Sequence, residues 1–127
     1  MLFLIALAAA AGPPAWVEFD RRPAGWAVSP FEYDPASIRR HGRSVRAIYR
    51  HKIFLSGLPD PEFLVGIEID CRHWRSRVYW GETRGLPAVH RAPRRAPGPR
   101  QPTGSTRIAS GSIEESLARR LCPAPAR

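Results

Sequence analysis

The sequence predicts an α+β protein with a single twisted antiparallel β-sheet of about five to six strands and a C-terminal α-helix packed on one face. Three observations predict it. Segments in which apolar and polar residues alternate recur between residues 16 and 82, with short turns between them. One segment with helical periodicity follows near the C-terminus. Cys71 ends the clearest strand-like segment and Cys122 ends the helical one, so a bond between them would hold the helix against the sheet.

The first eleven residues are apolar or small and are typical of the core of a secretory signal peptide. They are too few to span a bilayer, and glycine and proline follow them directly. We therefore expect a signal peptide over residues 1–15, with cleavage after Ala11 or Ala15 and no transmembrane anchor. The alternative is a buried N-terminal helix, which the glycine and prolines at 12–14 disfavour.

The first strands follow from period-two patterns that turns interrupt. Residues 16–19 alternate apolar and polar side chains, and residues 26–28 resume the pattern after a turn, which predicts an opening hairpin. Residues 31–33 form another short extended piece, and an Asp-Pro pair ends it. Residues 36–42 are predicted to form a turn. Residues 44–53 then form a strand whose two faces differ in polarity.

The clearest strand covers residues 63–71, where every second residue is apolar. The strand over residues 75–82 follows after three residues, too few for a parallel crossover, so the two strands are predicted to pair antiparallel. The same alternation predicts that Val78 and Trp80 share one face. The apolar face of the first of these strands carries Phe63, Val65, Ile67, Ile69 and Cys71.

Residues 85–106 are rich in proline and arginine and contain almost no large apolar side chains. We expect a flexible loop there, because such a composition cannot pack a core. Its arginines are candidate polyanion-binding residues, and a solvated linker is the alternative. The candidates, including one flanking arginine on each side, are Arg84, Arg91, Arg94, Arg95, Arg100 and Arg107.

The C-terminal helix begins with a capping box, in which Ser112 precedes Glu115 by three residues. Pro123 ends the helix, and a disordered tail is predicted over residues 123–127. The apolar stripe that the sheet would cover consists of Ile113, Leu117 and Leu121.

The two cysteines are predicted to form one structural disulfide, Cys71–Cys122, within a single domain over residues 16–122. Closing a loop of roughly 50 residues stabilises a fold by roughly 4 kcal/mol in the chain-entropy model. A disulfide of this kind persists outside the reducing cytoplasm, so we expect an exported protein in the periplasm, at the cell surface or secreted. The alternative is a pair of buried free thiols in a cytosolic protein.

The chain is strongly basic, with twenty Lys and Arg against eleven Asp and Glu and a net charge of +9. Arginine binds phosphate and sulfate groups bidentately, so lipopolysaccharide, sulfated glycan and nucleic acid are all candidate partners. No zinc-finger spacing, helix-turn-helix pattern or aromatic RNA-binding strand is present in the sequence. A solvated basic surface is the alternative.

The residues predict no catalytic site, no metal site and no cofactor. A catalytic Cys71 would need a nearby histidine, but a cysteine in an exported protein with one other cysteine is expected to be oxidised. Cys71 and His73, one residue apart, lack the two further ligands of a closed zinc site. Glu68 and Asp70 share one strand face, where they are expected to pair with arginines across the sheet. Those arginines are Arg46, Arg50 and Arg77.

The order and spacing of these motifs resemble the surface-adhesin protein E family, which comprises small exported bacterial envelope proteins. The resemblance covers most of the chain after the predicted leader. It rests on the opening Trp16, the Tyr-Asp-Pro-x-Ser-Ile segment at 33–38 with basic residues after it, the strand 67–71 ending in Asp-Cys, the aromatic strand 77–80, and the Gly-Ser helix 111–122 ending in cysteine.

The resemblance implies a twisted antiparallel sheet with the helix on one face, a bridged cysteine pair, and homodimerisation through the sheet. It also implies a non-enzymatic interaction or adhesin-like module whose partners are host or envelope proteins. The named member of the family binds laminin, vitronectin and plasminogen. The alternative function, which follows from the arginines alone, is polyanion binding through the 85–106 loop.

Overall fold

The alternating segments of the sequence form one antiparallel sheet in the computed structural model, which describes residues 15–54, 60–85 and 104–123. The described residues contain seven strands in the order β1-β2-β4-β5-β6-β7, with β3 paired to β4 beside this path, and one helix. The predicted fold class is confirmed. The elements are β1 (Val17–Ala24), β2 (Ala27–Tyr33), β3 (Arg39–His41), β4 (Ser44–Lys52), β5 (Glu62–Asp70), β6 (Arg75–Arg84), β7 (Thr106–Arg107) and α1 (Ile113–Leu121).

The sheet has more strands than the predicted five to six because it includes two very short ones, β3 and β7. β3 lies where a turn is predicted, and all three of its residues are exposed, so it has no apolar alternation to reveal it. β7 has two residues, and its first, Thr106, is the last residue of the predicted 85–106 loop.

One face of the sheet, here called the inner face, packs against α1. Val45 lies opposite Ile69, and Ala47 lies opposite Ile67, in the β4–β5 register. All four side chains are buried, as are three residues of the helix that face them. The opposite, outer face carries the intervening polar residues of the same strands. The buried residues of the helix are Leu117, Ala118 and Leu121.

The capping box of α1 forms, except that the Glu115 carboxylate bonds to the N–H of the residue before Ser112 and not to that of Ser112 itself. The Ser112 hydroxyl oxygen accepts a hydrogen bond from the Glu115 N–H at 3.1 Å, and the Glu115 carboxylate accepts one from the Gly111 N–H at 3.2 Å. The Ser116 hydroxyl donates to the Asp20 carboxylate at 2.7 Å, which joins the helix to β1. The predicted helix start is therefore confirmed.

A β-bulge interrupts the pairing of β5 with β6. Val78 lies opposite Ile67, whereas Trp80 lies opposite Gly66, so Tyr79 is the extra residue of β6. Val78 and Trp80 consequently lie on opposite faces, and the prediction that they share a face is wrong. The alternation rule fails here because the bulge adds one residue to β6 without adding one to β5.

Three segments with sequence-based predictions lie largely outside the described residues. They are residues 1–14 of the predicted signal peptide, residues 86–103 of the predicted loop and residues 124–127 of the predicted tail.

Candidate functional site

Cys71 and Cys122 form a disulfide, with their Cα atoms 5.6 Å apart. Cys71 directly follows β5, and its N–H donates to the Arg43 carbonyl at 3.1 Å. Cys122 caps α1, and its N–H donates to the Ala118 carbonyl at 2.8 Å. The bond therefore joins the end of the helix to the end of a central strand. It also uses both cysteines of the chain, so neither is a free thiol.

Several elements meet at the edge of the molecule around this bond. Ser44 begins β4, Asp70 ends β5 and Arg75 begins β6, and the register places these three residues side by side. β3, β7 and the last turn of α1 adjoin them. We call this region, residues 39–44, 70–76, 106–107 and 119–122, the disulfide end.

The disulfide end gathers those described arginines that have no Asp or Glu partner. All eleven Asp and Glu residues of the chain lie within the described residues. Seven described arginines lie within 4.0 Å of one of their carboxylates. The seven described arginines without such a partner are all exposed and all belong to the disulfide end: Arg39, Arg40, Arg43, Arg72, Arg75, Arg107 and Arg120.

Asp70 is the sole acidic residue within the disulfide end as defined. Its carboxylate accepts hydrogen bonds from the N–H groups of Arg72 and His73, both at 3.0 Å, and lies 2.8 Å from His73 Nδ1. The His73 N–H and then the His73 ring hold the pKa of Asp70 below its usual range. Asp70 is thus engaged by the β5–β6 turn and forms no ion pair with Arg75, its register partner.

Two arginines of the disulfide end lie directly opposite each other across the sheet edge. Arg75 on β6 pairs with Arg107 on β7 in the strand register. The Arg75 guanidinium donates to the Ser105 hydroxyl at 2.9 Å and also to the Ser105 carbonyl. Like charges in directly opposite positions destabilise a strand pair.

Two further arginines are held by backbone carbonyls. The Arg40 guanidinium donates to the Leu121 carbonyl at 2.9 Å, where it satisfies an acceptor in the last turn of α1. The Arg39 guanidinium donates to the carbonyls of Ala36 and Ile38, both at 2.9 Å. These contacts restrict the side chains without neutralising their charge.

The predicted polyanion-binding arginines are not brought together by the described part of the chain. Arg107 lies at the disulfide end, whereas Arg84 lies at the other end of β6, nine residues and roughly 30 Å from the partner of Arg107. Arg84 also pairs with Glu82 at 3.2 Å. The other four candidates, Arg91, Arg94, Arg95 and Arg100, lie outside the described residues.

Sequence reasoning missed the arginines at the ends of the other strands. The sequence signal was available, because Arg43 and Arg72 each adjoin a predicted turn, and Cys71 marks one of those turns as the end nearest the helix. In an antiparallel sheet, the two turns lie at the same edge only if the strands pair in sequence order. The arginine cluster can therefore be recognised only once the pairing order of the strands is known.

The outer face shows how the remaining arginines are paired. The Glu68 carboxylate accepts from Arg46 at 2.7 Å and from Arg77 at 2.8 Å, as predicted. The prediction is wrong for Asp70, which bonds to its own turn, and for Arg50, which pairs with Glu32. The hydrogen bond from Arg77, and then the one from Arg46, holds the pKa of Glu68 below its usual range. The Arg46 guanidinium also lies 4.7 Å from the centre of the Tyr79 ring.

Arg50 repeats this arrangement on the neighbouring strands. It donates to Glu32 at 3.1 Å and lies 4.4 Å from the centre of the Trp16 ring. Arg46, Arg50 and Arg77 are each bonded to a carboxylate, and Arg46 and Arg50 also lie over an aromatic ring. The positive charges of these three arginines are therefore compensated by neighbouring side chains. This contrasts with the disulfide end.

A shallow cleft of about 290 Å³ lies away from the disulfide end, between the second half of β2, the end of β4 and the start of β5. His51 lies at its edge with its ring stacked between Phe31, at 4.5 Å between centroids, and Phe63, at 5.2 Å. Burial lowers the pKa of His51. The imidazole is covered on both faces, which is the packing of a core-edge residue.

Within residues 15–54, 60–85 and 104–123, no three His, Cys, Asp or Glu side chains are placed to hold a metal ion. No helix in those ranges is both long enough and apolar enough to cross a membrane. No family model, curated protein or solved structure matches the chain. What the chain does is therefore inferred from its own residues.

Proposed function

We propose that the chain is an exported, non-enzymatic bacterial envelope or surface protein that acts as an interaction module of the protein E-like type. The observation that carries the proposal is the Cys71–Cys122 disulfide, which joins residues 51 positions apart. Such a structural bond forms and persists in oxidising compartments and is rare in the cytosol. The apolar segment at the start of the chain agrees with export.

A non-enzymatic role is supported by the contacts of the chemically reactive side chains, which are bonded to or packed against other residues of the chain. Both cysteines are in the disulfide, so neither can supply a thiolate nucleophile. Glu68 is bonded to two arginines, and Asp70 is bonded to the β5–β6 turn. His51 is stacked between two rings. In each case the group is already engaged by a structural partner.

An exposed apolar surface on the β1–β2 hairpin supports contact with a protein partner. Trp26 is 72% exposed and Val28 is 52% exposed. The Trp26 ring lies 5.5 Å from the ring of Phe54, so it is supported on one side while the rest of its surface faces solvent. Exposed tryptophans of this kind are enriched among the residues that dominate binding energy at protein interfaces.

Fractionation of the protein's own cells tests the proposal. The protein should be recovered from the periplasmic, envelope or extracellular fraction, and mass spectrometry should show a mature N-terminus at Gly12 or Trp16. A cytoplasmic enzyme released by the same procedure controls for lysis. Recovery of the chain beginning at Met1 in the cytoplasmic fraction alone would contradict the proposal.

Polyanion binding is a second candidate function. One observation favours it, namely that half of the described arginines lack a carboxylate partner and are all exposed at one end of the molecule. A concentration of cationic side chains without counter-charges raises the local potential and attracts polyanions. Binding to a heparin column that weakens steeply with salt would support this function. Passage through the column at low salt would contradict it.

A further inference from the structure

The described residues divide their charge unevenly along the sheet. The disulfide end, as defined, carries one carboxylate, that of Asp70, and this carboxylate is bonded to the turn that contains it. The seven arginines around it have no Asp or Glu within 4.0 Å. Arg46, Arg50 and Arg77, farther along the outer face, are by contrast each paired with a carboxylate. Among the described residues, the guanidinium groups without a carboxylate partner are therefore those at the disulfide end, where an anion from solvent would meet them.

The Arg75–Arg107 pair places two positively charged residues in directly opposite strand positions within this surface. The two residues lie opposite each other, and β7 pairs with β6 through only two residues, Thr106 and Arg107. Neither guanidinium has an Asp or Glu within 4.0 Å among the described residues, and that of Arg75 is held by Ser105. A sulfate or phosphate group between the two guanidinium groups would remove the repulsion and form bidentate hydrogen bonds.

The surface extends from this pair across neighbouring strands. The hydrogen bond from the Cys71 N–H to the Arg43 carbonyl holds the β3–β4 turn against the β5–β6 turn, so Arg43 and Arg72 lie on adjoining turns. With strands about 4.8 Å apart, the span from β4 to β7 is roughly 15 Å. That width suits a polymer carrying several anionic groups better than a single small anion.

We infer that the disulfide end binds a sulfated or phosphorylated glycan, with Arg43, Arg72, Arg75 and Arg107 contacting its anionic groups. The choice of a glycan rests on the proposed export, because glycans are the polyanions of the cell surface and its surroundings. A second observation disfavours nucleic acid. Trp74, the one Phe, Tyr or Trp residue of the disulfide end, is partly buried against the hydrophobic core, so the exposed rings there are the imidazoles of His41 and His73 and not a large aromatic platform.

Three triple variants of the full chain test the assignment, and each removes three positive charges. The site variant is Arg72→Gln/Arg75→Gln/Arg107→Gln. The distal control is Arg21→Gln/Lys52→Gln/Arg84→Gln, whose residues are exposed and lie outside the disulfide end. The loop control is Arg91→Gln/Arg94→Gln/Arg95→Gln. Affinity for heparin oligosaccharide, lipopolysaccharide and double-stranded DNA would be measured as a function of salt, and circular dichroism would check that each variant is folded.

The site variant is expected to lose at least about tenfold in affinity for a glycan probe, because each charged hydrogen bond contributes substantially to binding. The slope of log affinity against log salt should fall by roughly two to three. Each control should lose less than about threefold. Preference for heparin would identify a sulfated glycan, and preference for lipopolysaccharide would identify a phosphorylated one.

Several results would overturn the inference. Equal losses in all three variants would show that only net charge matters, and a loss confined to the loop control would place binding in the loop. Binding of DNA with no binding of either glycan probe would replace the glycan assignment. Failure of the wild-type chain to bind any probe would also refute it, while the fractionation result would still decide the proposed export.

Discussion

Arg75 and Arg107 lie directly opposite each other on β6 and β7, with no carboxylate within 4.0 Å of either guanidinium among the described residues. Cross-strand pairs of like charge reduce the stability of a sheet. At this exposed edge the two residues offer an anionic ligand two guanidinium groups that have no counter-charge among the described residues. This relationship connects the sheet topology to the proposed binding surface.

Removing one member of this pair should stabilise the free protein. We expect Arg107→Gln to raise the free energy of unfolding by about 0.2–1 kcal/mol at low salt, with a smaller gain at high salt because of screening. Urea denaturation at two salt concentrations measures it. Arg21→Gln is the matched control, because Arg21 is exposed but pairs with Glu18 at 2.8 Å. A clear loss of stability in Arg107→Gln at low salt would show that the pair is not repulsive.

The disulfide should dominate the stability of the domain. We expect Cys122→Ser to lower the free energy of unfolding by roughly 4 kcal/mol, since the bond closes a long loop in the unfolded chain. In a domain of this size, that loss corresponds to a fall in melting temperature of about 20 °C. Thermal denaturation followed by circular dichroism measures it. Reduced wild-type protein should behave like the variant, and a melting temperature unchanged by reduction would contradict the prediction.

Gly66 should not tolerate a side chain, because the Tyr79 ring covers it. A Cβ atom at this position would lie 2.9 Å from Tyr79 Cζ and 3.1 Å from Trp80 Cβ. We expect Gly66→Ala to destabilise the protein by about 1–3 kcal/mol through overpacking. Gly104→Ala is the control, since a Cβ atom there meets nothing within 4 Å. Equal stability of the two variants in urea denaturation would mean that the bulge readily rearranges.

The Glu68 pair with Arg77 and Arg46 should make stability depend on pH. Because these arginines hold the pKa of Glu68 below its usual range, their contribution is present above the unfolded pKa of about 4.5 and is lost as pH falls through the folded pKa. We expect Glu68→Gln to cost about 1 kcal/mol at pH 7, and we expect the difference from wild type to shrink below about pH 4.

Urea denaturation of wild type and Glu68→Gln across this pH range measures the effect. Glu82→Gln is the control, because the Glu82 side chain is 44% exposed and pairs with an arginine that is 61% exposed. Such a surface ion pair contributes little to the free energy of unfolding. A difference between wild type and Glu68→Gln that stays constant from pH 7 to pH 3 would contradict the role given to the carboxylate.

The features that the sequence predicted correctly depend on local rules. The capped helix follows from the spacing of Ser112 and Glu115, and the burial of Ile67 and Ile69 follows from the alternation of apolar residues along β5. The disulfide follows because only two cysteines are present and each ends a regular element. Each of these features can be read from neighbouring residues.

The features that the sequence did not predict depend on pairing between distant segments. The bulge at Tyr79 places Val78 and Trp80 on opposite faces, and it is defined only relative to β5. β7 is a strand only because Thr106 and Arg107 pair with β6. The arginine cluster combines residues from four separate segments, so no local pattern marks it.

The oxidation state of Cys71 and Cys122 in living cells is the most direct test of the exported, disulfide-linked state. Cells expressing the natural full-length gene would be quenched with acid, treated with an alkylating reagent without prior reduction, and analysed by intact mass spectrometry. We predict a chain with no alkylated cysteine, two hydrogens lighter than the reduced form. A chain with both cysteines alkylated would contradict the proposal.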